Sequence, residues 1–254
     1  LASPVTAWLI LFLNMNLPEG LNTVFINESI HPSLETPEIA LDSDIISVFT
    51  PSLLNKETLS RFKNLKFIVL RSVGYSHIDM YYAKENGIIV FNAPNYGDYT
   101  VAEYVFASLL ALIRKIPQSN TALRMGNILL DKYIGVELFS KTMGVIGTGA
   151  IGSKVVKIAK GFSMNVLAYD LKQTTDAEYV SLDELCSRSD VISINTPLTP
   201  ETLRMFDRNR INSLKKGVMI INTARGEIID TDALYDAIVE QRVAYAALDV
   251  IECE

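Results

Sequence analysis

Histidine, cysteine and tryptophan are scarce in this chain of 254 residues, which holds two, two and one of them. The cysteines, Cys186 and Cys253, stand too far apart to make a zinc pattern, and thiols so used suggest a reducing compartment, the cytoplasm. Both are read as packing residues, and no metal is expected. Basic runs longer than Lys215-Lys216 are lacking, and the net charge is −6. Phosphate binding needs a basic surface, so nucleic acid is excluded as a partner. Long apolar runs are lacking too. The stretch 7–13 is too short to cross a bilayer and has no basic flank of the signal-peptide kind, so it reads as a buried strand and no membrane is implied. The chain begins with Leu1 rather than Met, so its true start is expected to lie upstream. No internal repeat or low-complexity segment is found. What is present is a hydrophobic fraction of 49%, enough for a sizeable core.

Strand-like runs alternate with helical patterns. Strands are expected at 8–13, 23–26, 45–49, 67–70 and 88–91, with helices near 56–62 and 78–86, the second closed by Gly87. A second series has strands at 142–146, 165–169, 191–194, 218–222 and 245–250. Its helices lie near 150–160, 181–187, 209–214 and 231–240. Ser181-Leu182-Asp183-Glu184 reads as a capping box. Such alternation predicts α/β architecture with parallel sheets covered on both faces, and two series predict two doubly wound domains, 1–97 and 98–254. Between the series, 100–116 is apolar all round, which predicts a helix buried within the chain or against a second copy. Pro117 is expected to end it. Residues 126–135 read as an irregular loop.

Gly147-Thr148-Gly149-Ala150-Ile151-Gly152 fits G-x-G-x-x-G between a strand and a helix. The first glycine permits the tight turn, the second lets backbone approach a pyrophosphate, and the third packs helix on strand. Free N–H groups at the start of that helix favour phosphate. The next strand ends at Asp170, eighteen positions after Gly152. A carboxylate there accepts bonds from ribose hydroxyls and repels a 2′-phosphate, so NAD is favoured over NADP; Lys172 offsets some of that repulsion. The bland alternative is a glycine turn that binds nothing, and the ordered arrival of strand, glycines, helix, strand and acid weighs against it.

Ligands in open α/β sheets bind beyond the carboxyl ends of strands. After the strand at 218–222 comes Thr223-Ala224-Arg225-Gly226; near the end of the chain come Asp249 and Glu254. Taken singly, Arg225 is an ordinary surface ion-pair partner and the terminal acids a solvated tail. Beside a nicotinamide, however, an arginine could clamp a carboxylate with two parallel hydrogen bonds.

Here the chain resembles the D-isomer-specific 2-hydroxyacid dehydrogenases. The resemblance rests on Asn222-Thr223-Ala224-Arg225-Gly226, Ala246-Ala247-Leu248-Asp249-Val250 with Glu254, and Arg71-Ser72-Val73-Gly74-Tyr75-Ser76-His77-Ile78-Asp79. Asn92-Ala93-Pro94-Asn95-Tyr96-Gly97 leading to Thr100-Val101-Ala102-Glu103, and Asp190-Val191-Ile192-Ser193 with Thr196-Pro197-Leu198-Thr199, extend it from about residue 45 to the end. The resemblance implies a flavodoxin-like substrate domain, a Rossmann NAD-binding domain, a cleft active site and a homodimer packed around 100–116. It implies reversible hydride transfer between NAD(H) and a small D-2-hydroxy acid/2-oxo acid pair. Arg225 would hold the substrate carboxylate, and Glu254 would pair with a catalytic histidine. Cofactor-lining residues would be Gly147, Gly149, Ala150, Ile151, Gly152, Asp170, Thr196, Pro197, Thr223, Ala224, Arg225, Asp249, Val73 and Val101. Substrate would meet Ser72, Val73, Gly74, Tyr96 and Arg225.

The chain departs from the family pattern in its histidines. The family's catalytic histidine lies beyond the position of Glu254, and neither His31 nor His77 stands there. His77 reads as a capping or solvated residue and His31 as a loop residue. Asn195 replaces a frequent histidine, and Ile251 a frequent phenylalanine. Two other readings stay open: a non-catalytic NAD-sensing, corepressor-like binding protein on the same scaffold, and a Rossmann enzyme of another class.

Overall fold

In the computed structural model, residues 29–34, 36–127 and 130–252 are described. The expected strands at 8–13 and 23–26 lie outside them, as do Cys253 and Glu254. The chain forms two compact units, Leu1–Tyr96 and Gly97–Glu254.

In the first unit β1 (Ile45–Val48), β2 (Phe67–Leu70) and β3 (Ile89–Phe91) pair in parallel and in chain order. Alternation along each strand sends Ile46, Val48, Ile68 and Leu70 into one core with Leu54, Leu59 and Ala83. Helices α1 (Glu38–Leu41), α2 (Lys56–Leu59) and α3 (Met80–Glu85) are short. The Asn55 side chain caps α2 by accepting from Thr58 N–H at 2.9 Å, and Asp79 caps α3 by accepting from Tyr82 N–H at 2.9 Å. Asp79, not His77, is therefore the cap. Gly87, at φ +69°, closes α3 as expected, with Ile88 N–H donating back to the Ala83 carbonyl.

Among the described residues, the second unit holds six parallel strands. These are β4 (Thr142–Ile146), β5 (Asn165–Tyr169), β6 (Glu178–Tyr179), β7 (Val191–Ile194), β8 (Val218–Asn222) and β9 (Val243–Leu248), in the order β6-β5-β4-β7-β8-β9. That is the doubly wound order in which the third, second and first strands precede the fourth, fifth and sixth, so direction reverses between β4 and β7. Every residue of β7 and β8 is buried, because helices cover both faces. Met143, Val145, Val191, Met219 and Ile221 face α4 (Asp98–Ile113) and α6 (Ala150–Gly161). Ile146, Ile192, Ile194 and Ile220 take the other face, with α7 (Leu182–Arg188), α8 (Arg208–Ser213) and α9 (Thr231–Val239).

Four local expectations are corrected. The helix expected over 100–116 ends at Ile113. Lys115 then turns into the left-handed region at φ 52°, and Pro117 sits in the first turn of α5 (Ile116–Arg124), where a missing N–H costs nothing. Nor is α4 buried all round: Ala102, Val105, Phe106, Leu109 and Ile113 are buried, Phe106 stacks on Phe162, and Tyr104 is exposed. Residues expected as loop include a 3-10 turn, Leu130–Tyr133. The Ser181 hydroxyl does accept from Glu184 N–H at 3.2 Å, but the Glu184 carboxylate goes to Arg188, so the box is half made. Among the described residues, no helix is long and apolar enough to cross a membrane.

Candidate functional site

The glycine turn sits after β4, at the point where strand order reverses. Gly147 has φ +82°, and a Cβ on it would meet the Asn195 carbonyl oxygen, beyond β7, at 2.7 Å. A Cβ on Gly152 would overlap the Gly147 carbonyl. Both positions thus need glycine for reasons internal to the fold. Gly149 does not. It begins α6 at φ −64°, and a Cβ there would meet nothing within 4 Å. The space above it is open, and the first turn of α6, Ala150 and Ile151, presents its unpaired N–H groups beside it. The cradle therefore has the room and the donors that a dinucleotide's pyrophosphate needs.

Asp170 follows β5. Its Oδ2 accepts from Thr148 N–H at 2.5 Å and from the Thr148 hydroxyl at 3.2 Å, while Oδ1 accepts from Lys172 N–H at 3.0 Å. Burial acts to raise its pKa, but these bonds outweigh it and hold the carboxyl below its ordinary value. Asp170 is thus part of the glycine turn as well as the acid at the strand end, a second duty that spacing did not reveal.

Beyond β7, Asn195 N–H donates to the Ile146 carbonyl at 2.7 Å and its side-chain amide donates to the Ser193 carbonyl at 3.2 Å. Thr196 is half-buried and Pro197 exposed, and the Pro197 carbonyl accepts from the Thr202 hydroxyl at 2.7 Å. Beyond β8, buried Asn222 shapes the next turn. Its Oδ1 accepts from Ala224 N–H at 3.0 Å, and its Nδ2 donates to the Arg225 carbonyl at 2.8 Å. Thr223 is half-buried beside it. Arg225 is half-buried, its Nη1 donates to the Ala224 carbonyl at 2.6 Å, and it makes no ion pair among the described residues. A Cβ on Gly226 would overlap the Ile251 carbonyl, so the chain after β9 crosses against this turn. Exposed Asp249 is fixed there through its N–H, which donates to the Asn222 carbonyl at 3.0 Å. Glu252 is committed to Arg204 at 2.8 Å, a bond that lowers its pKa. The described site residues expected in this unit thus gather at the carboxyl ends of β4, β5, β7, β8 and β9, Glu254 lying outside the described residues. Val101 is the exception, half-buried on α4.

In the first unit the expected residues also follow strand ends. Buried Ser72 donates its hydroxyl to the Gly74 carbonyl at 2.8 Å, and Asn92 Nδ2 donates to the Val73 carbonyl at 3.0 Å, tying the turn after β2 to the one after β3. Val73 and Tyr96 are exposed there, and the Arg71 guanidinium lies 6.0 Å from the centre of the Phe49 ring. Buried Cys186 has a thiol pushed up to about 11, an inert packing residue as expected.

Three features were missed. Tyr179 meets Thr148, Arg204 holds Glu252, and Leu171, next to Asp170, stands 96% exposed. The two pairs are far apart in sequence, so no spacing announces them. Leu171 was readable as an apolar residue just after a strand end.

Residues 106–254 match the family described as D-isomer specific 2-hydroxyacid dehydrogenase, NAD binding domain. The chain is 40% identical over 220 residues to a D-3-phosphoglycerate dehydrogenase of Methanocaldococcus jannaschii, covering 84% of this chain and 42% of that one. It spans only about two fifths of that relative's length. It is 38% identical over 250 residues to an aromatic 2-oxoacid reductase of Clostridium sporogenes, covering 96% of this chain and 75% of that one. The crystal structure of a D-lactate dehydrogenase from Aquifex aeolicus, complexed with NAD and lactic acid, superposes with a TM-score of 0.82 at 42% identity. That match covers 86% of this chain and 68% of the other.

Proposed function

The chain belongs to the D-isomer specific 2-hydroxyacid dehydrogenase family and carries its NAD binding domain, and from that premise we propose that it serves NAD-dependent interconversion of a small D-2-hydroxy acid and its 2-oxo acid. The observation that carries this reading is the open cradle above Gly149, beside an ionised Asp170 and on the same sheet edge as Arg225 and Asp249.

Bound NAD supplies the hydride acceptor or donor. The chain's residues supply position and charge. Gly147, Gly149, Ala150, Ile151 and Gly152 form the pyrophosphate seat. Asp170 disfavours a 2′-phosphate by charge. Thr196, Pro197, Thr223, Ala224 and Asp249 line the rest. Arg225 binds the substrate carboxylate through its guanidinium fork, and that fixed orientation raises the rate. Ser72, Val73, Gly74 and Tyr96 contribute from residues 1–97, the substrate domain; 98–254 is the cofactor domain. Glu254 takes the role of the acid paired with the family's histidine, whose charged form it would favour. The homodimer and the cytoplasm belong to the same reading. The aromatic 2-oxoacid reductase and the lactate-bound enzyme differ in the side chain their names imply, so they favour the 2-oxo acid class and leave the choice of side chain open.

The test joins binding to turnover. Calorimetry should show NADH binding more tightly than NADPH. In the complete protein, loss of NADH absorbance with a panel of 2-oxo acids should show turnover, and Arg225→Ala should cut kcat/KM about a hundredfold. Equal affinities for the two cofactors would remove the role of Asp170. An active Arg225→Ala would move the clamp elsewhere, with Arg71 next in line.

A further inference from the structure

Asp170 belongs to a hydrogen-bonded chain that begins on another strand. Thr148, between the first two glycines, is fully buried. Its hydroxyl lies 2.8 Å from the Tyr179 hydroxyl and 3.2 Å from Asp170 Oδ2. The Tyr179 oxygen accepts from the backbone N–H groups of Thr174 at 2.9 Å and Thr175 at 3.2 Å, and lies 3.1 Å from the Thr175 hydroxyl. The Thr174 hydroxyl donates to the Thr148 carbonyl at 2.5 Å. Backbone N–H groups only donate and an ionised carboxylate only accepts. One arrangement satisfies both: the loop amides donate to Tyr179, Tyr179 O–H donates to Thr148, and Thr148 O–H donates to Asp170, while the Thr148 hydroxyl also lies 3.4 Å from the Lys172 carbonyl and the Tyr179 hydroxyl 3.1 Å from that of Thr175. Bonds aligned in one direction strengthen one another.

The fold puts Tyr179 there. It lies on β6, the two-residue edge strand, in register with Ala168 of β5, two positions before Asp170. The outer side of the same loop is tied to α6 by the Lys160–Asp176 ion pair at 2.6 Å. The loop between is therefore held at both flanks, and it presents Leu171, an apolar side chain 96% exposed, directly beside Asp170. No element of the described core accounts for an apolar residue held out in water at that point.

We propose that Tyr179 is a positioning residue for the dinucleotide: its hydroxyl couples the loop 171–175 to Thr148 of the glycine turn, and so holds Leu171, Asp170 and the turn together as the seat for the adenosine half of the cofactor. The proposal rests on the reading of the glycine turn as the NAD site. Tyr179 acts through Thr148 and the loop. Its effect therefore falls on the adenosine side and on the choice between NADH and NADPH, since the Asp170 carboxylate keeps its orientation through the Thr148 hydroxyl.

The test is calorimetric binding of ADP-ribose, NADH and NADPH. Tyr179→Phe keeps the ring and removes one hydroxyl. It should weaken ADP-ribose and NADH by about three- to tenfold and narrow the NADH/NADPH ratio. Thr148→Val should do the same, Thr148→Ser should bind as the wild type does, and the double variant Tyr179→Phe/Thr148→Val should lose no more than either single change. Unchanged affinity in Tyr179→Phe, or losses that multiply in the double variant, would overturn the coupling while leaving the NAD reading intact. A wild-type chain that binds neither ADP-ribose nor NADH would overturn both. A further readout needs no variant. Burial acts to raise the Tyr179 pKa, but its hydrogen bonds with Thr148, Thr175 and Thr174 outweigh it and bring it to about 8, ahead of ordinary tyrosines. ADP-ribose brings negative charge to the seat, so it should move this early phenolate step, followed by ultraviolet absorbance, to higher pH. A step that ignores ADP-ribose would count against the proposal.

Discussion

At the scale of single residues, glycines tell the fold and the ligand apart. Gly226 is demanded by the fold, because any side chain would strike the Ile251 carbonyl and the Glu252 amide, both backbone. Gly149 is demanded by nothing in the fold. Gly226→Ala should therefore cost about 1–3 kcal/mol of stability through overpacking, read as a lower urea midpoint. Gly149→Ala should leave that midpoint within about 0.5 kcal/mol, yet weaken NADH more than tenfold, because its methyl group fills the pyrophosphate's approach. A Gly149→Ala variant that binds NADH normally would mean the open space serves nothing. The same comparison shows what was legible from sequence. The glycine spacing was readable because each glycine answers a local demand of strand, turn and helix. The Tyr179–Thr148 and Arg204–Glu252 pairings were not, since each depends on which strands or turns the fold sets side by side.

At the scale of elements, the strands were read closely. Four of the strands in the second unit have the expected bounds, because short, mostly apolar runs bounded by turn residues allow little choice of register. Two-residue β6 was not expected; it has too few residues to show any period. The break between α4 and α5 was misplaced because proline is a strong signal and a left-handed lysine is none. Lys115 holds φ 52° at some cost to a residue with a Cβ. Lys115→Gly should accordingly raise stability by about 0.5–1 kcal/mol in urea unfolding, even though the exposed bond from Lys115 Nζ to the Lys132 carbonyl is lost. A fall in stability would show that the lysine's contacts outweigh its strain.

At the scale of the whole molecule, the question is what covers the apolar surface that the chain leaves open. One face of α4 is spent on the sheet, while Val101, Leu110 and Leu112 remain half-buried and Tyr104 exposed. Farther along the same stretch Ile116, Leu123, Met125, Ile134 and Phe139 are each more than half exposed. In our proposed reading, the homodimer would cover this exposed apolar surface. Two copies each of net charge −6 repel, so apolar burial must drive the association, and salt, by screening the repulsion, should tighten it. Light scattering at micromolar concentration should give the mass of two chains, with the dimer fraction rising as salt is added. Leu123→Glu with Met125→Glu should yield monomers whose unfolding midpoint, measured at the same protein concentration, falls only by the lost association. A dimer that dissociates as salt rises would mean that charge pairing holds it instead, and a wild-type monomer would remove this surface from the assembly.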